Sequence, residues 1–181
     1  NLFKGLAPWM SRLPGGLIHV NVVGCALFAA ISGSSAATVA TVGKMSIPEL
    51  RKRNYPEKLL LGSLAGSGTL GLLIPPSIIL IIYGVTVQES IAKLFIAGIL
   101  PGIMIAIFFM FYVIGWSIIN KKDMPKMEET FSFSRKIKDS AQLLPVIILI
   151  ASVIGSIYVG IATATEAASL GVVGALVLSF F

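Results

Sequence analysis

The chain has 181 residues, of which 56% are hydrophobic and only 12% charged, with a formal net charge of +6 and a mean hydropathy of +0.93. An ordinary soluble domain is about a quarter charged, so this composition excludes a fold surrounded by water, and the single cysteine, Cys25, excludes a disulfide framework or a paired-thiolate metal site. The basic excess sits in two loops between apolar runs, which argues for orientation in a membrane rather than for nucleic-acid binding.

Residues 1 to 12 read as the end of a preceding helix or loop. The chain opens at Asn1 without Met or a basic leader and closes at Phe181 inside an apolar stretch, the pattern expected of an internal fragment. Residues 13 to 43, 59 to 82, 94 to 119 and 140 to 165 contain no Asp, Glu, Lys or Arg. Each reaches the ~20 residues that cross a bilayer as a helix, and none alternates as a barrel strand does, so the expected class is an all-α polytopic membrane protein.

The run from 13 to 43 is too long for one straight crossing at about 1.5 Å per residue. Its middle, Ile31-Ser32-Gly33-Ser34-Ser35-Ala36-Ala37-Thr38, is small and hydroxylic. The pattern predicts a re-entrant helical hairpin over 13 to 54, with its tip at 32 to 35 and both ends on the cytoplasmic side. A second helix would start at Ser34 or Ser35 as N-cap and run past Pro48 into a basic loop. Close helix packing explains a small-residue cluster equally well. Irregular backbone at membrane depth is tolerated only where it is buried in protein or lines a wet cavity, so the tip is a candidate site.

Residues 44 to 58 carry Lys44, Arg51, Lys52, Arg53 and Lys58 against Glu49 and Glu57, and residues 120 to 139 carry six further basic residues. The positive-inside rule puts both loops in the cytoplasm and residues 84 to 93 outside. Over 55 to 84 the sequence predicts a discontinuous transmembrane helix broken at 74 to 77, because Pro75 and Pro76 remove two donors and disfavour helix at Ile74. A new half-helix would begin at Pro75 or Pro76 and run to about Tyr83. The break exposes carbonyls on one side and N–H groups on the other, which can hold a cation and an anion; a plain kink without a ligand is the alternative. A transmembrane helix follows at 90 to 120, a cytoplasmic linker at 121 to 139, and further transmembrane segments at 140 to 181. Glu166, in Thr163-Ala164-Thr165-Glu166, reads as a helix-capping acid.

Neither irregular segment holds a carboxylate, so a bound cation would rest on carbonyl and hydroxyl oxygens. That suits a hard monovalent ion such as Na⁺ better than Zn²⁺ or Cu²⁺, which seek imidazole or thiolate, and no metal other than Na⁺ is expected. His19 and Asn21 are the strongest polar groups of the first half-hairpin, and an intramembrane histidine is either a site or a packed, hydrogen-bonded helix residue. No nucleophile elbow, phosphate loop, metal-spaced His/Glu pair or paired Asp is present, which speaks against an enzyme. A channel would lack any visible filter.

Four ordered blocks then carry a family resemblance: Leu13-Pro14-Gly15-Gly16-Leu17-Ile18-His19-Val20-Asn21-Val22, Phe28-Ala29-Ala30-Ile31-Ser32-Gly33-Ser34-Ser35-Ala36-Ala37, Gly68-Thr69-Leu70-Gly71-Leu72-Leu73-Ile74-Pro75-Pro76-Ser77 and Leu94-Phe95-Ile96-Ala97-Gly98-Ile99-Leu100-Pro101-Gly102. Together they resemble the large membrane subunit of tripartite ATP-independent periplasmic (TRAP) transporters. The block from Gly160 to Ala168 is similar too, with Ala164 where the family often has proline, while residues 121 to 139 match nothing in it. The resemblance implies an elevator-type fold with two inverted repeats, of which this chain holds the first and the opening of the second. It implies Na⁺-driven uptake of an organic acid of the sialic-acid or C4-dicarboxylate type across the bacterial inner membrane. The partners would be a small membrane subunit, separate or fused, and a periplasmic substrate-binding protein, with Na⁺ as coupling ion and no other cofactor. On this reading tip and break meet at mid-membrane. Ser32, Gly33, Ser34, Ser35, Gly68, Thr69, Gly71 and Pro75 would hold Na⁺, and Ser34, Ser35, Pro76, Ser77, His19 and Asn21 the substrate. The rivals are a two-component Na⁺/dicarboxylate symporter that needs no binding protein, and a channel or structural membrane subunit.

Overall fold

The computed structural model describes residues 2–125 and 143–179, and the described residues form helices and turns with no strand. The linker expected at 121 to 139 is therefore described only to residue 125, and the rest lies outside the described residues. Helix α1 (Leu2–Met10) turns through two glycines of positive φ, Gly15 and Gly16, into a 3-10 turn (Gly16–Ile18) that feeds α2 (His19–Ser32). The left-handed Gly33 closes α2, its N–H bonding Ala29 O at 3.0 Å, and the extended Ser34 opens α3 (Ser35–Lys52) as N-cap. Helix α3 passes Pro48, which is exposed, and keeps Arg51 and Lys52 in its last turn, where basic residues suit the helix dipole. Helices α2 and α3 run antiparallel about residues 33 and 34. Cys25 shares a core cluster with Val42, and Ile18 and Val20 share one with Leu50.

The loop into α4 (Glu57–Gly68) is held by Arg51–Glu57 and Arg53–Glu49 ion pairs, and the Arg51 guanidinium holds the Glu57 carboxyl below its ordinary range. Past Gly68 a 3-10 turn (Thr69–Leu72) follows, and the ladder of this half ends where the Ile74 N–H meets Leu70 O at 2.8 Å. Pro75 has no N–H with which to continue it. The second half, α5, is Ile78–Val87 and starts neither at Pro75 nor at Pro76. The Ser77 hydroxyl donates to Leu72 O at 2.6 Å and holds its own backbone extended (φ −115°, ψ 130°), so helix resumes only beyond it.

Helix α6 (Ile91–Ile119) starts at an N-cap serine, Ser90, and is the one described helix long and apolar enough to cross a membrane. Its most apolar window has a mean hydropathy of 2.6, and only 17% of that window is buried among the described residues. At 1.5 Å per residue it is about 43 Å long, well over the ~30 Å hydrocarbon core. In the part expected to hold further segments, 140 to 181, the described residues form α7 (Leu144–Tyr158) and α8 (Ala164–Ser179), separated by a turn through Gly160, whose φ is +75°. Thr163 and Glu166 then form a capping box, with the Thr163 N–H and hydroxyl both donating to Glu166 Oε2 at 2.8 Å. The expected capping role of Glu166 is met.

Candidate ion and substrate site

The hairpin tip lies against the helix break, and glycines make the approach possible. The Ile78 N–H donates to Gly33 O at 3.4 Å, and a Cβ on Gly33 would sit 2.5 Å from Pro76 O. A Cβ on Gly71 would sit 2.8 Å from both Ser34 C and Ser35 N, inside the closest contact real Cβ atoms make. Gly68 is pressed on the Val39 side chain in the same way. Behind the break, a Cβ on Gly98 would meet Leu73 O at 2.9 Å, and one on Gly102 would meet Ile74 Cγ1 at 2.8 Å, so α6 offers a small-residue seat to the segment from 73 to 75.

Hydroxyls hold the tip in shape. Thr38 Oγ1 donates to Ser34 O at 2.7 Å and lies 2.9 Å from Ser32 Oγ, which accepts from the Ser34 N–H at 3.4 Å; Ser34 Oγ in turn accepts from the Ala37 N–H at 3.5 Å. Thr38 is fully buried and was not among the predicted site residues. The available signal was its spacing, since a residue four beyond an N-cap lies on the same helix face. The Ser35 hydroxyl is different. It is buried and has no hydrogen-bond partner among the described residues. Four helix ends meet here: the C-terminal end of α2 and of the 3-10 turn, rich in carbonyls, and the N-terminal ends of α3 and α5, rich in N–H groups. A cation is favoured at the first pair and an anion at the second.

Of the predicted residues, Ser32, Gly33, Ser34, Ser35, Gly68, Gly71 and Pro76 come together. The others do not present side chains to the tip. Thr69 is exposed, and its hydroxyl donates to Gly66 O at 2.7 Å, one turn back on its own helix. The Pro75 ring is packed 3.6 Å from a Cβ on Gly98, toward α6. The Ser77 hydroxyl is buried in its bond to Leu72 O. His19 and Asn21 lie about 20 Å and 16 Å from Ser32 along α2. His19 Nε2–H donates to Pro14 O at 2.8 Å, and Asn21 Nδ2 donates to Leu60 O at 3.3 Å and Ser63 Oγ at 3.1 Å, so both are packed at the hairpin base, while His19 Nδ1 and Asn21 Oδ1 are buried without a hydrogen-bond partner among the described residues.

Comparison with known proteins gives a consistent outcome. The family model for the "Tripartite ATP-independent periplasmic transporter, DctM component" matches residues 2–181. The chain is 36% identical to the C4-dicarboxylate TRAP transporter large permease protein DctM of Pseudomonas aeruginosa, over 95% of this chain and 40% of that protein. It is 37% identical to the ectoine/5-hydroxyectoine TRAP transporter large permease protein of Ruegeria pomeroyi, over 98% of this chain and 41% of that one. It is 36% identical to the sialic acid TRAP transporter permease protein of Haemophilus influenzae, over 99% of this chain and 29% of that one. The chain thus spans about two-fifths or less of the length of these relatives.

Proposed function

Because the chain belongs to the DctM component family of tripartite ATP-independent periplasmic transporters, we propose that it forms the ion- and substrate-handling part of a Na⁺-coupled permease that takes up a small organic acid across the bacterial inner membrane. The observation that carries the reading is the buried, unpartnered Ser35 hydroxyl at the meeting of tip and break. A carboxylate-free cluster of hydroxyl and carbonyl oxygens suits a hard monovalent cation, and the N-terminal ends of α3 and α5 suit the substrate's carboxylate. The residues assigned to Na⁺ are Ser32, Gly33, Ser34 and Ser35 from the tip with Gly68 and Gly71 from the first half of the break. Those assigned to the carboxylate are the first-turn backbone N–H groups of α3 and α5 other than those of Ala37 and Ile78, which donate to Ser34 Oγ and Gly33 O.

The coupling follows from the same geometry. Na⁺ bound between tip and break favours the arrangement in which both helix N-termini are aimed at one point, so substrate binds well only with the ion in place. The hairpin then acts as a re-entrant element of an elevator. The loops at 44 to 58 and 120 to 139 face the cytoplasm, a small membrane subunit holds the scaffold, and a periplasmic binding protein delivers the substrate. The three relatives differ in their named substrates yet lie within one percentage point of identity, so nothing favours the sialic-acid type. Dicarboxylate, ectoine and sialic acid share a carboxylate, and that group is the part the site is assigned to recognise.

The test is uptake of labelled C4-dicarboxylate, ectoine and sialic acid by proteoliposomes holding the intact permease and its small subunit. Accumulation should require both an inward Na⁺ gradient and the cognate binding protein. Uptake without the binding protein would replace this reading by a two-component symporter, and non-saturable flux by a channel.

A further inference from the structure

One end of the bundle gathers more positive charge than its ion pairs use. The Leu17 N–H donates to the Tyr55 hydroxyl at 3.0 Å, a Cβ on Gly15 would touch Val113 and Ser117 of α6, and Ser117 reaches Met124. Leu17, Leu50, Leu59 and Val113 share one core cluster, flanked by Tyr55 and Trp116. The α1–α2 corner, the end of α3, the start of α4 and the end of α6 are therefore neighbours. They carry Arg12, Lys52, Lys58, Lys121 and Lys122, all exposed and without an ion-pair partner among the described residues, whereas Arg51 and Arg53 are engaged by Glu57 and Glu49. The one described acid left at this end is Asp123.

The neighbouring surface says what kind of anion suits this patch. Ile118 and Ile119, 50% and 83% exposed, end the apolar face of α6, and Lys121 follows two residues later. Apolar side chains open to the outside, followed within two residues by lysines, is the order of groups met on leaving an acyl layer for a headgroup layer. We propose that this basic collar binds the phosphate headgroup of an anionic phospholipid, with the acyl chains lying along the Ile118 and Ile119 end of α6. A soluble organic anion would use the charges alone and leave the apolar strip unused. The inference needs the chain to lie in a membrane, but not the Na⁺ site.

Native mass spectrometry of the intact permease tests it, with phosphatidylglycerol, cardiolipin and phosphatidylcholine added in turn. Anionic lipid should be retained in preference to phosphatidylcholine. The quadruple variant Lys52→Gln, Lys58→Gln, Lys121→Gln, Lys122→Gln should lose at least tenfold of that retention, since one basic residue near a charged surface contributes roughly fivefold. The four Lys→Arg changes should preserve it. If the quadruple variant does not fold, Lys52→Gln and Lys122→Gln alone should each show a loss of about threefold to fivefold. Equal retention in the Lys→Gln variants overturns the proposal. So does displacement of the lipid by millimolar inorganic phosphate, which would assign the patch to a soluble anion.

Discussion

Thr38 and Thr69 carry the same side chain and have different prospects. Thr38 Oγ1 bonds Ser34 O and Ser32 Oγ inside the protein, so Thr38→Val removes two hydroxyl bonds of the tip while Ser34 O keeps the Thr38 N–H and the Ser32 hydroxyl as donors. A lost buried hydrogen bond costs about 1–3 kcal/mol; the variant should unfold at a lower temperature in detergent, measured by intrinsic fluorescence. Thr69→Ala removes only an exposed bond to its own helix, and uptake with its Na⁺ dependence should stay within about twofold of the parent, as for most surface changes. At this scale the sequence showed which residues could cap and which could not. Ser34 was legible as an N-cap because a hydroxyl stands where the helix must restart, and Glu166 because it stands three residues after Thr163. Side-chain direction was not legible. Threonine in a helix can turn to a carbonyl of its own preceding turn, and His19 and Asn21 turned to Pro14 and Leu60, which a charge-free run does not reveal.

Between elements, the contact of tip and break depends on glycines more than on hydroxyls. Gly71→Ala introduces a methyl group 2.8 Å from the backbone of Ser34 and Ser35, where no side-chain end can give way. The tip must move off the break. Uptake per milligram of monodisperse permease should fall by about tenfold or more, the scale of effect that small misplacements at a working site produce. Gly62→Ala, at an exposed glycine whose Cβ meets nothing within 4 Å, should leave it unchanged. The helix restart after the tip and the break at the paired prolines were both visible as composition. The start of the second half-helix was not, because the Ser77 hydroxyl turns back to Leu72 and delays it. Over 140 to 181 more than one segment was expected, but the boundary between them was not legible, since an apolar run shows its length and not the left-handed turn at Gly160.

For the molecule as a whole, the basic loops predict a direction in the membrane that cysteine accessibility can check in a permease whose other exposed cysteines are replaced, since this chain's one cysteine, Cys25, is buried. In intact spheroplasts Gln88→Cys should react with a membrane-impermeant maleimide and Lys121→Cys only after permeabilisation; the reverse pattern would invert the assignment. Membrane class followed from charge segregation alone, whereas the meeting of residues 33 to 35 with residues 71 to 78 is a long-range contact that no local pattern specifies. The central claim is that this meeting point holds the coupling ion, and Ser35 is its most exacting probe, because the hydroxyl has no structural partner to lose. The measurement is the Na⁺ concentration that gives half-maximal uptake by Ser35→Ala permease in proteoliposomes, compared with the parent. Loss of one oxygen ligand should raise it by about tenfold, the scale of a hydrogen bond to a charged group, with thermal stability unchanged. An unaltered Na⁺ dependence would contradict the account and move the ion elsewhere.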